Sequence, residues 1–332
     1  MQIAKRSINI IIKVLPILSF TVPLLILYSL YPKSFEATWT GRTFYIFFLW
    51  LASLEMVLSW EKLQTSKMNK LRFIRTGAFI IALLLPTMYV VTANYYGLND
   101  MIKDLARKNE VPAANWTPLS MEYLVFAVLF AIIILQAHGI GGLMDFSISV
   151  LFLGTIGLIY TINYLYPNGR FLPFQFLVPT TASLAANVLN LMGYRTLWLG
   201  ISDGMPAFKA WDSQGRTSPT FAIAWACAGV ESLLIYTVTI LLFLKKTIIP
   251  WKHRIVYFII GAVVTYFINI LRIVAIFVIS INKGDWLTFH DFYAQLYSIT
   301  WIISYPLIII GSRALWRKIS TKVVSKPSII PT

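Results

Sequence analysis

Long apolar runs recur from one end of this chain to the other, with short polar segments between them. A helix that crosses a bilayer needs about 20 mostly apolar residues. Eight runs approach or exceed that length: Val14–Leu30, Thr43–Trp60, Phe73–Ala93, Met121–His138, Phe146–Tyr164, Thr220–Leu244, Ile255–Ile281 and Phe292–Gly311. The fifth is interrupted by Gly154 and Gly157. The first has no small-residue cleavage site and is followed by many runs like itself, so it reads as a retained helix rather than a cleaved signal. The pattern predicts an all-α, polytopic integral membrane protein of about eight transmembrane helices, forming one domain over residues 1–332.

The stretch from Leu165 to Pro219 departs from that pattern. It is too polar to span and too apolar for a plain linker. Within it, Pro179 to Met192 predicts a helix opened by Pro179 and stopped by Gly193, and its mixed face suits a membrane surface. Thr196–Ser202 and Met205–Asp212 flank an Asp203-Gly204 turn signal and predict a short hairpin. Such an insertion, between helices five and six, reads either as a lid or substrate platform or as a packing loop.

Composition reinforces the membrane reading, because 58% of the 332 residues are hydrophobic and only 12% are charged. Soluble domains carry about twice that charged fraction. The net charge of +15 is mostly an orientation signal. With the N-terminus inside, the inner segments hold seventeen Lys and Arg against two acids, Glu61 and Asp145. The outer segments hold ten basic residues and nine acids, with Glu122 counted at the edge. Basic residues mark the cytoplasmic side, so both termini are expected inside and the 165–219 insertion outside. Nucleic acid is not an expected partner. Asn115-Trp116-Thr117 is a glycosylation sequon in an expected outer loop.

Candidate chemistry is sparse, which makes its placement informative. Cys227 is the only cysteine, so an intramolecular disulfide and a cysteine-rich metal site are both excluded. The histidines are His138, His253 and His290, and only His290 falls on the outer side. Charged side chains inside a bilayer are costly and often functional. The predicted spans contain Glu55, Glu231 and Arg272. Glu55 lies near the cytoplasmic end of its helix, within reach of the basic loop that follows, and reads as structural. On helix six, Cys227 lies about 10 Å below the outer end, and on helix seven Arg272 lies about 13 Å below its own. The two are therefore expected at similar depth on neighbouring antiparallel helices. Glu231 follows Cys227 by four residues and Asn269 precedes Arg272 by three, so helical spacing predicts a polar patch of Cys227, Glu231, Asn269 and Arg272. His290, just before helix eight, can reach the mouth of the same cleft.

A thiol, an imidazole and a fixed cation suit nucleophilic acyl transfer. The thiolate is the nucleophile, a nearby cation stabilises it, histidine carries protons, and arginine can hold an oxyanion. Each residue also has a plainer reading taken singly: a small packing cysteine, a helix-start histidine, and a structural Glu231–Arg272 ion pair. A transporter or channel with that pair in its pathway is the competing class, and a non-enzymatic scaffold is a third. Polar groups gathered on the outer side only, with no internal repeat, favour the enzyme.

At these residues the sequence resembles the exosortase/archaeosortase family of membrane transpeptidases. Cys227-Ala228-Gly229-Val230-Glu231-Ser232 resembles its Cys-Ser/Ala-Gly-hydrophobic-x-Ser block, and Asn269-Ile270-Leu271-Arg272-Ile273 resembles its Asn-x-x-Arg-hydrophobic block. His290-Asp291 stands before the last helix, where the family places its histidine. The likeness is sharp over roughly residues 176–311; the first five helices match only as generic spans. One departure is the stretch Asp291-Phe292-Tyr293-Ala294, where family members often carry glycine. The resemblance implies that residues 220–311 form the catalytic helices, with Cys227 as nucleophile, Arg272 stabilising the oxyanion or thiolate, and His290 as acid and base. Glu231 and Asn269 join them as supporting groups on helical geometry. It implies no cofactor and no metal. The implied partners are precursor proteins bearing a C-terminal sorting motif, a hydrophobic helix and a basic tail. The implied acceptor is a membrane lipid, the implied location is the plasma membrane with the site on its outer side, and the resemblance and the sequon together point to an archaeal source.

Overall fold

Helices stand at all eight expected positions. The computed structural model describes residues 2–37, 40–63, 72–112, 114–166, 175–202, 205–225, 227–294 and 296–324. The long helices of the first half are α1 (Gln2–Leu30), α3 (Thr43–Leu58), α4 (Arg72–Tyr95), α6 (Thr117–Asp145) and α7 (Ser147–Leu165). Short helices α2 (Pro32–Glu36) and α5 (Leu98–Lys108) lie between them. The second half contains α8 (Val178–Leu191), α9 (Val230–Lys246), α10 (Trp251–Ile281), the single turn α11 (Trp286–Thr288) and α12 (Leu296–Val324). Among the described residues six helical stretches are long and apolar enough to cross a membrane: five within α1, α4, α6, α7 and α10, and one from Trp286 to Trp316 that runs into α12. The other two expected positions hold shorter helices, α3 with 16 residues and α9 with 17.

The first half is held by aromatic packing and one buried ion pair. Phe20, Phe48, Phe126 and Phe130 meet edge to face, with ring centroids 4.9 to 5.5 Å apart. Beside them, Arg42 donates from Nε and Nη2 to the two oxygens of Glu122, each at 2.8 Å. The Tyr45 hydroxyl donates to the same carboxylate at 3.0 Å, and the Tyr31 ring lies 4.4 Å from the guanidinium. Glu122 was expected at the edge of its helix; it and Arg42 are both buried, and together they tie the start of α3 to α6. Tyr123 on α6 donates to the Gly41 carbonyl at 2.8 Å and strengthens the same joint.

Glu55 is structural, but through a different contact from the one expected. Its carboxylate accepts from the backbone N–H groups of Ile148 and Ser149 at 3.1 and 2.9 Å, and from the Ser149 hydroxyl at 2.6 Å. It therefore caps the N-terminus of α7 from a distant helix, where unpaired amides and the helix dipole favour a negative charge. The basic loop it was expected to meet falls largely outside the described residues.

Between α7 and α9 the insertion folds much as its punctuation predicts. Helix α8 buries Val178, Thr181, Ala182, Ala185, Ala186 and Leu189, a single stripe at helical spacing. That stripe faces α10 and the sheet, so the apolar side of α8 is turned to the protein. Strands β1 (Arg195–Ser202) and β2 (Met205–Trp211) pair antiparallel, with a bulge between Trp198 and Gly200. The turn residues Asp203 and Gly204 lie outside the described residues. A short third strand, β3 (Phe221–Ala222), pairs antiparallel with β2. The sheet sits on the C-terminal end of α10, where Phe208 stacks on Phe277 at 4.4 Å and Phe221 meets Phe277 and Trp286 edge to face.

Helix six is the main correction. The run Thr220–Leu244 reads from sequence as one helix, but the described residues among 220–229 are not helical and α9 starts at Val230. Phe221, Ala222 and Ile223 are spent on pairing with β2, and Gly229, at φ +91°, closes the turn that follows and opens the helix. An apolar run has no periodicity that separates a buried strand from a buried helix.

Breaking the Arg42–Glu122 pair leaves a buried charge without its counter-ion. Glu122→Gln is expected to cost about 3–5 kcal/mol of stability. Thermal unfolding in detergent should show it, and an Arg42→Met/Glu122→Leu double variant should recover most of the loss.

Candidate active site

The chain reaches Cys227 along β3. Ile223 N–H donates to the Pro206 carbonyl at 2.9 Å, and the backbone then folds into a turn in which Cys227 N–H and Ala228 N–H both bond the Ala224 carbonyl at 3.0 Å. Gly229 caps α9, and its carbonyl accepts from Leu233 N–H at 2.9 Å. Cys227 therefore lies on a turn at the N-terminal end of a helix. The four-residue spacing that was taken to put Cys227 and Glu231 on one helical face does not operate, because only Glu231 is helical.

Two neighbouring helices fasten the turn. From α10, Asn269 Nδ2 donates to the Cys227 carbonyl at 2.9 Å. From α8, Thr181 Oγ1 donates to the Ala228 carbonyl at 3.0 Å and lies 2.8 Å from the Tyr266 hydroxyl. Both Asn269 and Thr181 are fully buried. Sequence reasoning put Asn269 in the patch, though as a neighbour of Arg272 rather than as a clamp on the cysteine's own backbone. Thr181 and Tyr266 it missed. The only signal for Thr181 was a polar position on the small-residue stripe of α8.

His290 comes from the opposite side. After α10, Asp285 caps α11, accepting from Thr288 N–H at 3.0 Å and from Thr288 Oγ1 at 2.6 Å. The next five residues, Phe289–Tyr293, form a π-helical turn, and such turns recur at functional sites. It brings His290 Nε2 to 3.6 Å from Cys227 Sγ, while His290 Nδ1 donates to Asp291 Oδ1 at 2.8 Å. Sequence reasoning had no part for Asp291 beyond its place in the histidine block.

Arg272 and Glu231 complete the surroundings. Both are buried, and both bear electrostatically on the thiol. Arg272 Nε has no hydrogen-bond partner among the described residues. Glu231 lies in the first turn of α9, where a helix favours negative charge. Burial pushes the Cys227 thiol up; the bonded His290 ring and the Arg272 guanidinium outweigh that burial, and the thiol ends below its ordinary value despite Glu231. The structure thus brings all five predicted residues, Cys227, Glu231, Asn269, Arg272 and His290, around one turn. Among the described residues no group of three or more His, Cys, Asp or Glu side chains is placed to hold a metal ion.

A bundle of membrane-crossing helices with a thiol–imidazole pair at one end of its last three helices is the frame of a membrane cysteine enzyme. The family model described as transmembrane exosortase matches residues 38–309, and the chain belongs to that family, which comprises membrane cysteine transpeptidases that act on secreted proteins with C-terminal sorting signals. No curated protein and no solved structure matches the chain.

Two outcomes test this geometry. A Cβ on Gly229 would lie 2.9 Å from Asn269 Nδ2, at a φ that L-residues avoid. Gly193 has a similar φ of +88° with nothing within 4 Å. Gly229→Ala should therefore lower the unfolding temperature more than Gly193→Ala, which carries only the backbone cost of about 1–2 kcal/mol. Second, iodoacetamide should alkylate Cys227 with a pH midpoint below the value of about 8.5 for an ordinary thiol. A midpoint at or above that value would remove the electrostatic argument.

Proposed function

We propose that this chain is a cysteine transpeptidase that removes a C-terminal sorting signal from exported precursors and joins the new C-terminus to an acceptor, a membrane lipid, through a thioester. The observation that carries the reading is the 3.6 Å contact between Cys227 Sγ and His290 Nε2.

The steps follow from the groups around the turn. His290 Nε2 takes the thiol proton, and the thiolate attacks the carbonyl carbon of the scissile peptide. Negative charge develops on that oxygen, and the Arg272 guanidinium donates to it inside a buried, low-dielectric site. Collapse of the adduct breaks the C–N bond. The imidazolium returns its proton to the departing amine of the sorting segment, and the acyl group stays on Cys227 as a thioester. An acceptor hydroxyl or amine then attacks the thioester, His290 takes its proton, and the thiol is regenerated. Asn269 keeps the Cys227 backbone in place.

The charge asymmetry supports a site on the extracytoplasmic side of the plasma membrane, since basic residues concentrate in the opposite segments. A precursor whose tail helix lies beside the enzyme presents its cleavage point near that surface. An acceptor lipid presents its headgroup at the same level. The 165–219 insertion supplies the fixed sheet and helix against which the turn is built.

Cys227→Ala and Cys227→Ser should both abolish precursor processing in the native host. Normal processing by either variant would sink the proposal, and a transport function would be indifferent to the serine change. Wild-type enzyme should trap a precursor adduct that hydroxylamine releases. Arg272→Lys should lower the rate by roughly 10²–10³-fold, the usual cost of losing one oxyanion donor. Lysine keeps the charge and lacks the planar fork, so full activity in that variant would rule out the guanidinium contact.

A further inference from the structure

We propose that Asp291 is the positioning residue of this site: its carboxylate holds the Nδ1–H of His290, so that Nε2 meets the Cys227 thiol with a free lone pair. The inference rests on the transpeptidase reading above and adds a third member to the thiol–imidazole pair.

Three observations carry it. First, the contacts run in series, with Sγ to Nε2 at 3.6 Å and Nδ1 to Asp291 Oδ1 at 2.8 Å. An imidazole bonded this way is fixed in one tautomer and one ring orientation, which is what a base facing a thiol requires. Second, the contact is not a default of helical geometry. Consecutive residues on an α-helix point about 100° apart and do not face each other. Here they meet within the π-helical turn Phe289–Tyr293. Third, the cap of this helix start is supplied by another carboxylate. Asp285 already accepts from the backbone and hydroxyl of Thr288. The His290–Asp291 pair is also partly open, with side chains 20% and 38% exposed, and open pairs contribute little to stability. Its value lies in orientation.

In the cycle the carboxylate keeps its negative charge and gains no proton. His290 holds one proton on Nδ1 throughout and takes or returns the other on Nε2. Asp291 acts through His290, by the Nδ1–H bond alone.

The test compares full-length Asp291→Asn and Asp291→Glu with the wild type and Cys227→Ala in membranes. Three readouts are followed: precursor processing, the unfolding temperature, and the pH profile of Cys227 alkylation by iodoacetamide. In that profile the thiol faces His290 from the π-helical turn, Arg272 from α10 and Glu231 from α9, and only the first contact is altered. Asp291→Asn should slow processing roughly 10–100-fold, the range for groups that orient a functional histidine. It should move the alkylation limb to higher pH and leave the unfolding temperature unchanged. Asp291→Glu should restore part of the rate. Wild-type processing and an unmoved limb in Asp291→Asn, with Cys227→Ala inactive, would overturn the role of Asp291 alone. An equal rate loss in both Asp291 variants with a lowered unfolding temperature would also overturn it, in favour of a folding role. If Cys227→Ala processes normally, the transpeptidase reading falls and this inference with it.

Discussion

Asn269 holds the carbonyl of Cys227 at 2.9 Å, and the rest of the site is arranged around that one hydrogen bond. A turn between a two-residue strand and a helix has few bonds of its own, and its conformation is set by what grips it from outside. Asn269 is buried, so water does not compete for its amide. The bond also fixes the need for Gly229, whose open side is the space that Asn269 fills. Asn269 and Arg272 lie three residues apart on α10, so the residue that grips the turn also fixes the distance between thiol and guanidinium. A shift of α10 along its axis would move clamp and cation together.

Polar groups elsewhere in the bundle obey the same constraint in a different form. In an apolar surrounding, each buried charge needs a partner within the protein. Glu122 meets it with Arg42 and Tyr45, and Glu55 with the amides that start α7. Both contacts join elements far apart in sequence, so they are joints of the scaffold. The candidate site differs, because the Arg272 Nε–H is buried without a partner among the described residues. A buried donor left open near the thiol is free to bond a group that enters the site, which is what the proposed oxyanion contact requires. The same donor would be a plain liability in Arg42, where nothing has to bind.

Hydrophobic run length was enough to place the eight long helices, apart from the start of α9, because it follows from the bilayer rather than from tertiary detail; the short helices α2, α5 and α11 leave no such run. The α8 helix and the β1–β2 hairpin were equally readable, from Pro179, Gly193 and the Asp203-Gly204 punctuation. The start of α9 was not. The run ahead of Val230 carries no period, and it is pairing with β2 that draws Phe221 and Ala222 into a strand. The burial of Arg42 and Glu122 was hidden for a related reason: each sits at the end of an apolar run, where sequence places it at the surface. For the site, topology alone brought Cys227, Arg272 and His290 to one end of three helices, whereas the contacts of Thr181 and Asp291 depend on side-chain packing and on a π-helical turn. No sequence period reports either one.

Moving Cys227 from a helix to a turn also changes its chemistry. On a helix its backbone would be spent on the hydrogen-bond ladder, and its side chain would share a face with Glu231, whose charge opposes a thiolate. On the turn, it stands at the positive end of the α9 dipole, which favours a thiolate there. Glu231 competes for that same field from the first turn. The His290 ring and the Arg272 guanidinium decide the contest, for they hold the thiol below its ordinary value although burial and Glu231 both push it up. The acidity of this cysteine is therefore a property of three elements meeting, α9, α10 and the π-helical turn, and not of the residues beside it in sequence.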